Sequence, residues 1–235
     1  MASCREHHGV HRRGCLLTGH CVFPAEHGIG AFALLFSLSL GKIPTMNLHQ
    51  LIEKTRTCRR FDSTHAISAD TLASLVDLAR LSASGANRQP LKYILVTEPS
   101  QREALYPCLA WAGYLTNWEG PDPDERPSAY IIILGDKEIS ESFGIDHGIA
   151  AQSIMLGATE AGLGGCIIAS VKKERLRLVF DIPKQYEVLL VLALGKPVEK
   201  VAIETIQNND VKYWRDDKGV HHVPKRTLDE IILGR

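Results

Sequence analysis

A chain of 235 residues, 45% hydrophobic and 23% charged, has the composition of an ordinary globular protein and is long enough to bury a core without disulfides or a structural metal. Its 27 basic and 27 acidic residues cancel, leaving no field to draw in a nucleic-acid backbone and no basic run to hold one, so nucleic acid is excluded as a main partner. The six cysteines form no CxxC pair and no metal-ligand spacing, which indicates reduced thiols in a cytoplasmic protein and neither a zinc site nor a disulfide framework.

Residues 1–45 differ in character from the rest of the chain, with half of the cysteines, several histidines, Arg12-Arg13 and an apolar run over residues 28–40. A signal peptide would need its basic residues closer to that run. A membrane anchor would need about 20 continuous apolar residues, and this run is shorter and rich in Gly and Ser. The preferred reading is that Met46 is the natural start, that residues 1–45 are a leader or poorly ordered extension, and that residues 46–235 form the folded domain.

Asn47 is placed to cap a helix with Leu48, Leu51 and Ile52 at helical spacing. Ser68 opens a second, with Leu72, Leu75, Val76, Leu78, Ala79 and Leu81 on one face, and a Ser/Gly/Asn/Pro cluster then predicts a loop. Residues 93–97 read as a strand, residues 99–111 as a helix, and residues 129–135 as a buried strand whose apolar positions are continuous. Residues 146–160 are apolar on nearly every side and include Gly148 and Gly157, the pattern of a central helix that lets a neighbour approach closely. Gly162 stops it. A strand over 166–170, a short helix over 172–180 and a last apolar strand over 188–195 come next. The tail from Val201 reads as long and polar, ending in a Leu228, Ile231, Ile232, Leu233 helix face. Helices and strands neither alternate strictly nor segregate, which predicts a mixed sheet in an α+β fold.

Four stretches carry chemistry. Arg56-Thr57-Cys58-Arg59-Arg60-Phe61 packs guanidiniums and a hydroxyl into an anion cradle, or else is a basic helix end. Ser84-Gly85-Ala86-Asn87-Arg88-Gln89-Pro90 is the loop after the second helix, Gly162-Leu163-Gly164-Gly165-Cys166 a turn, and Pro224-Lys225-Arg226-Thr227-Leu228 a basic site near the C-terminus. The glycines are not a dinucleotide fingerprint, because they close a helix and open a strand instead of the reverse.

Together and in this order, these motifs resemble the nitroreductase family, over essentially the whole of residues 46–235. The resemblance implies a mixed, mainly antiparallel sheet flanked by helices in an interlocked homodimer. It implies FMN as cofactor, with NADH or NADPH as reductant. Carried over by position, it places Arg56, Thr57, Lys225 and Arg226 around the FMN phosphate and Arg59 at the pyrimidine side of the ring. Ala83, Ser84, Gly85 and Asn87 would approach the ring from the partner subunit, and backbone N–H groups near Ala169 and Ser170 would face its N5 edge. Thr55 stands where the family often has a further arginine, a contact that is either lost or supplied by Lys54, and Leu91 where an aromatic residue is common.

The activity implied is reduction of nitroaromatic, quinone or related conjugated acceptors by ping-pong hydride transfer, with no side chain as a general acid. A flavin-binding sensor without turnover, a dehalogenase or flavin-fragmenting enzyme on the same scaffold, and a structural dimer are the alternatives. Trp111, Tyr114 and Trp118 are either a substrate lid or the packing of a helix end. Cys58 reads as a buried spacer, His221-His222 as loop residues that point apart and hold no metal, Asp146 as a cap and Glu160 as a solvated face. Ser82 and Ser84 lack the partners of a hydrolase triad.

Overall fold

In the computed structural model, which describes residues 46–234, the first helix α1 (Leu48–Lys54) opens on a capping box. Asn47 Oδ1 accepts from the Gln50 N–H and Gln50 Oε1 from the Asn47 N–H, both at 3.0 Å. The leader expected over residues 1–45 lies outside the described residues. After the two-residue strand β1 (Phe61–Asp62), Ser68 caps α2 (Ala69–Arg80) by accepting from the Thr71 N–H at 3.1 Å. Leu72, Leu75 and Ala79 are its buried face.

Strand β2 (Leu91–Val96) leads into α3 (Pro99–Leu105), which is shorter than the helix expected to reach Trp111. Pro107 lacks an N–H and its ring crowds the preceding turn, so the chain tightens into a 3₁₀ turn over Tyr106–Cys108. Then come β3 (Ala129–Asp136), α4 (Asp146–Glu160), β4 (Gly164–Ile168), α5 (Lys173–Val179) and β5 (Tyr186–Pro197).

Strand β5 is the hub of the main sheet. It pairs antiparallel with β3 on one side, as Ile131 with Leu192, with β4, as Cys166 with Ala193, and at its end with β1; β2 completes the sheet against β3. The continuous apolar run of β3 has a direct cause, since successive side chains leave a strand on opposite faces and both faces here are covered. Ala129, Ile131 and Ile133 pack with Leu72, Leu75, Ile154 and Ala158 under α2 and α4. Tyr130, Ile132 and Leu134 pack with Leu105 and Leu176 under α3 and α5. Each such isoleucine contributes about 1.5–3 kcal/mol relative to an exposed one. Helix α2 lies so close to α4 that a Cβ on Gly157 would fall 2.2 Å from Leu78 Cδ1, the close approach expected of the small residues.

The tail, expected only to be long and polar before a last helix, contains strands that the sequence reading did not assign. Strands β6 (Val201–Thr205) and β8 (His221–Lys225) pair in parallel, and β7 (Trp214–Arg215) adds antiparallel to β8 before the short helix α6 (Leu228–Ile231). His221 and His222 therefore belong to a strand and not to a loop. Pro224 and two histidines hide β8 from propensity reasoning, yet it is held by its neighbours. Among the described residues no helix is long and apolar enough to cross a membrane.

Candidate functional site

The arginine stretch leaves α1 through Thr55, whose Oγ1 lies 2.7 Å from the Leu51 carbonyl and 3.0 Å from Thr159 Oγ1 of α4. This position is turned into the helix joint, which explains why no arginine stands there. The chain then runs alongside β4: Thr57 bridges Gly165, and the Cys58 N–H donates to the Gly165 carbonyl at 2.8 Å. Alternation buries Cys58, and burial pushes its thiol up to about 12, so it is the inert spacer expected.

Arg56 lines a cleft with Lys54, Gly162, Leu163, Gly164 and Lys196. Its Nη2 donates to the Ile52 carbonyl at 2.8 Å, while its Nε is buried without a hydrogen-bond partner among the described residues. The arginine stretch and the glycine turn, far apart in sequence, thus meet in one cleft. Gly162 makes the turn with φ +75°, a conformation that side chains with a Cβ resist.

Arg59 is the most enclosed of the three arginines in the stretch, only 9% exposed. Its guanidinium lies over the Tyr213 ring at 4.9 Å, and Nη1 is 3.3 Å from His221 Nε2. It also contacts the Cys166 thiol, which burial pushes up and the arginine pulls back down. The Arg59 backbone N–H donates to Glu199 Oε2 at 2.9 Å, and Glu199 Oε1 accepts from Arg215 Nη2 at 2.5 Å. Among the described residues, no carboxylate forms an ion pair with the Arg59 guanidinium itself.

The loop over residues 82–89 is fastened to α4. Ser84 Oγ donates to Asp146 Oδ2 at 2.6 Å, the Gly85 N–H to Asp146 Oδ1 at 2.9 Å, and Ser82 Oγ lies 2.7 Å from Ser153 Oγ. Asp146 was expected to cap its own helix, but Ile145 is the capping residue and the buried carboxylate of Asp146 anchors this loop. Ala83 and Ser84 line a second cleft with Gln89, Tyr93 and Asp146, while Ala86 and Asn87 take the left-handed φ values of 50° and 53°.

Ala169 and Ser170 lie exposed or nearly so just beyond β4, where the Ser170 carbonyl accepts from the Ala110 N–H at 3.0 Å. At about 3.3 Å per residue, β4 carries the line from Cys166, beside Arg59, to Ala169 in about 10 Å. Lys225 ends β8, and Arg226 donates to Asn209 Oδ1 at 2.6 Å with Glu230 Oε1 3.4 Å away.

The three aromatic residues separate. Trp111 packs against Tyr106 at 5.7 Å and joins the core under α3 and α5. Tyr114 sits 5.0 Å from the Tyr213 ring, and Trp118 lies under Arg215 at 4.9 Å. Tyr114 and Trp118 thereby reach the two residues that flank Arg59 and Glu199, whereas Trp111 is packing.

The structure therefore brings Arg56, Thr57 and Arg59 together with the glycine turn and β4. It holds Ala83, Ser84, Gly85 and Asn87 at the start of α4, and Lys225 and Arg226 at the far end of β8. Sequence reasoning missed Glu199, Tyr213 and His221. No local signal marks Glu199, and the one clue to His221 was its alternation with His222. Among the described residues no group of three or more His, Cys, Asp or Glu side chains is arranged to hold a metal ion.

The model of the nitroreductase family matches residues 52–117 and 125–196, more than half of the chain. MhqN of Bacillus subtilis, whose name assigns it provisionally as an NAD(P)H nitroreductase, is 22% identical over 187 residues, covering 62% of this chain and 86% of that protein. A solved nitroreductase family protein of Clostridium novyi is 25% identical with a TM-score of 0.53, over 65% of this chain and 87% of that one. An FMN-dependent nitroreductase of Clostridium difficile is 23% identical with a TM-score of 0.54, over 68% and 91%.

Proposed function

The chain belongs to the nitroreductase family, and from this we propose that it is an FMN-dependent oxidoreductase that uses NADH or NADPH to reduce nitroaromatic, quinone or related conjugated acceptors. The observation that carries the reading is the Arg59 guanidinium, buried with a histidine ring, a tyrosine ring and a thiol for neighbours and, among the described residues, no carboxylate in an ion pair with it. A buried cation in such company suits an electron-rich ring that gains negative charge on reduction. The buried, unpartnered Nε of Arg56, in a cleft with Lys54 and Lys196, likewise suits a phosphate. The residues present fit FMN on both counts. One relative is named as FMN-dependent and another as an NAD(P)H nitroreductase, which supports the reading.

FMN, when bound, supplies the two-electron chemistry between nicotinamide and acceptor. In this reading Arg56 and Thr57, with Lys225 and Arg226, hold the phosphate, and Arg59 stabilises charge at the pyrimidine edge. The backbone beyond β4 at Ala169 and Ser170 faces the reacting edge. Tyr114 and Trp118 wall the acceptor side, and solvent supplies the proton.

The loop carrying Ala83, Ser84, Gly85 and Asn87 completes the site from a second copy of the chain. In support, apolar surface lies uncovered on α1 and around the start of α4, with Leu48 66% and Ile145 75% exposed. The visible absorbance of the purified protein is the test, with chromatography of whatever heat releases. A yellow protein that releases FMN at about one per subunit and oxidises NAD(P)H in the presence of a quinone supports the reading. A colourless protein that takes up no added FMN refutes it. Flavin bound without turnover would leave the sensor alternative, and sedimentation as a monomer would remove the shared site.

A further inference from the structure

We propose that His221 is a positioning residue for Arg59, its Nε2 lone pair holding the guanidinium in line for the ring of the bound flavin, so that flavin binding weakens when His221 is protonated; the inference rests on the flavin reading above.

His221 is the most deeply buried histidine among the described residues, 1% exposed, and no step of the proposed chemistry uses it. Strand β8 sets its place, because the His221 N–H donates to the Lys200 carbonyl at 2.8 Å and its register partner is Val201. The side chain then reaches back across 162 residues of sequence to stand 3.3 Å from Arg59 Nη1. Tyr213 packs on both, 5.1 Å from the imidazole and 4.9 Å from the guanidinium. A guanidinium has donors only, so the nitrogen facing it must be an acceptor, and a neutral imidazole offers one only as the Nδ1–H tautomer. Among the described residues Nδ1 has no hydrogen-bond partner, so the contact at Nε2 is the polar contact that orients the ring.

Protonation would turn Nε2 into a second donor aimed at a donor. The groups facing the ring are Arg59 from the stretch before β1, Arg215 of β7, Glu199 beyond β5 and His222 next to it in β8. Burial holds the His221 pKa below the usual 6.5, with Arg59, Arg215 and His222 acting in the same direction and Glu199 against them. The neutral ring is thus the working state near neutral pH. The loss of hold on Arg59 falls on the acid side, below about 6.5.

The test is titration of the flavin-stripped full-length chain with FMN, read by quenching of FMN fluorescence between pH 5 and 8. Wild type, His221→Gln and His221→Phe are compared, with near-ultraviolet circular dichroism to confirm folding. Wild-type affinity is expected to fall as the pH drops through the folded His221 value. His221→Gln, whose amide oxygen accepts without titrating, binds near the wild-type level at pH 8 and loses most of that pH dependence. His221→Phe, which fills the space without an acceptor, binds about tenfold more weakly at pH 8.

Equal affinity of wild type and His221→Phe at pH 8 overturns the proposal. So does a pH dependence that survives in His221→Gln. If the wild type binds no FMN at any pH, it is the flavin reading that fails. The hold on Arg59 is then read by ¹⁵N NMR of the imidazole, where a neutral Nε2–H tautomer at pH 7.5 overturns it and an Nδ1–H tautomer supports it.

Discussion

Replacing Glu199 by alanine tests the joint that ties the arginine stretch to the tail. Its carboxylate side chain is fully buried and accepts from two partners, the Arg59 backbone N–H at 2.9 Å and Arg215 Nη2 at 2.5 Å. Truncation leaves a buried N–H without an acceptor and a guanidinium whose Nε already lacks a partner. Breaking a buried ion pair from one side costs about 3–5 kcal/mol. The Arg215 side chain is 18% exposed and recovers part of its hydration, so the lower end applies, about 3 kcal/mol.

For a domain of this size that lowers Tm by about 6–12 °C. Urea and thermal unfolding followed by circular dichroism measure it, with Glu199→Met, Arg215→Met and the double variant Glu199→Met/Arg215→Met closing a cycle. The double variant is expected to be more stable than Glu199→Ala, because it leaves no buried charge uncompensated. A loss under about 1 kcal/mol for Glu199→Ala, or a double variant that costs the full sum of the single ones, would refute the reasoning.

His222 lies 2.7 Å from Glu204 Oε1 and 3.3 Å from Asp216 Oδ2, and these carboxylates, Glu204 foremost, raise its pKa above 6.5. The folded state then holds the proton more tightly than the unfolded one. The stabilisation is complete below about 6.5 and is lost as pH rises through the raised folded value. Tm measured from pH 6.5 to 8.5 should fall less in His222→Gln than in wild type; identical slopes would discard the effect. His221 acts below 6.5 and in the opposite sense, so it does not mask this window.

Alanine at Gly165 would put its Cβ 2.4 Å from the Ala193 carbonyl oxygen across the β4–β5 pair, a backbone clash expected to cost about 1–3 kcal/mol in urea unfolding. Wild-type stability in Gly165→Ala would contradict that packing. Asp146→Ala removes both bonds that fasten Ser84 and Gly85 to α4. Amide hydrogen exchange over residues 85–89 should accelerate about tenfold or more, with Asp146→Asn intermediate. Unchanged protection would show that the loop holds itself.

Much of the main domain is legible because its signals are local. Asn47 and Ser68 announce their helices by side-chain oxygens within hydrogen-bond reach of the next turn. The helix expected over residues 146–160 has those very ends, since a 15-residue apolar stretch closed by a glycine admits few other readings. The one sizeable helix error, the overextension to Trp111, came from passing over Pro107, a signal the sequence did contain. Of the candidate site, the donors Arg56 and Thr57 were legible as residues, and the structure sets them beside the glycine turn and β4. The functions of Asp146 and His221 were not, because a carboxylate early in a helix and a histidine in a mixed strand look alike whether or not a distant group comes to them.

By itself, then, the sequence determined where α1 and α2 start, where α4 starts and stops, that β3 is buried on both faces, and that the chain turns at Gly162 instead of forming a nucleotide loop, although Gly164 and Gly165, read as part of that turn, already belong to β4. Each follows from forces acting within a few residues: capping, alternation and the steric freedom of glycine. Only the tertiary structure decided that the tail folds into strands and that Arg59 lies between Glu199 and His221, partners 140 and 162 residues away. Strand pairing and the burial of a charge depend on what the rest of the chain brings alongside, and no window of sequence contains that information.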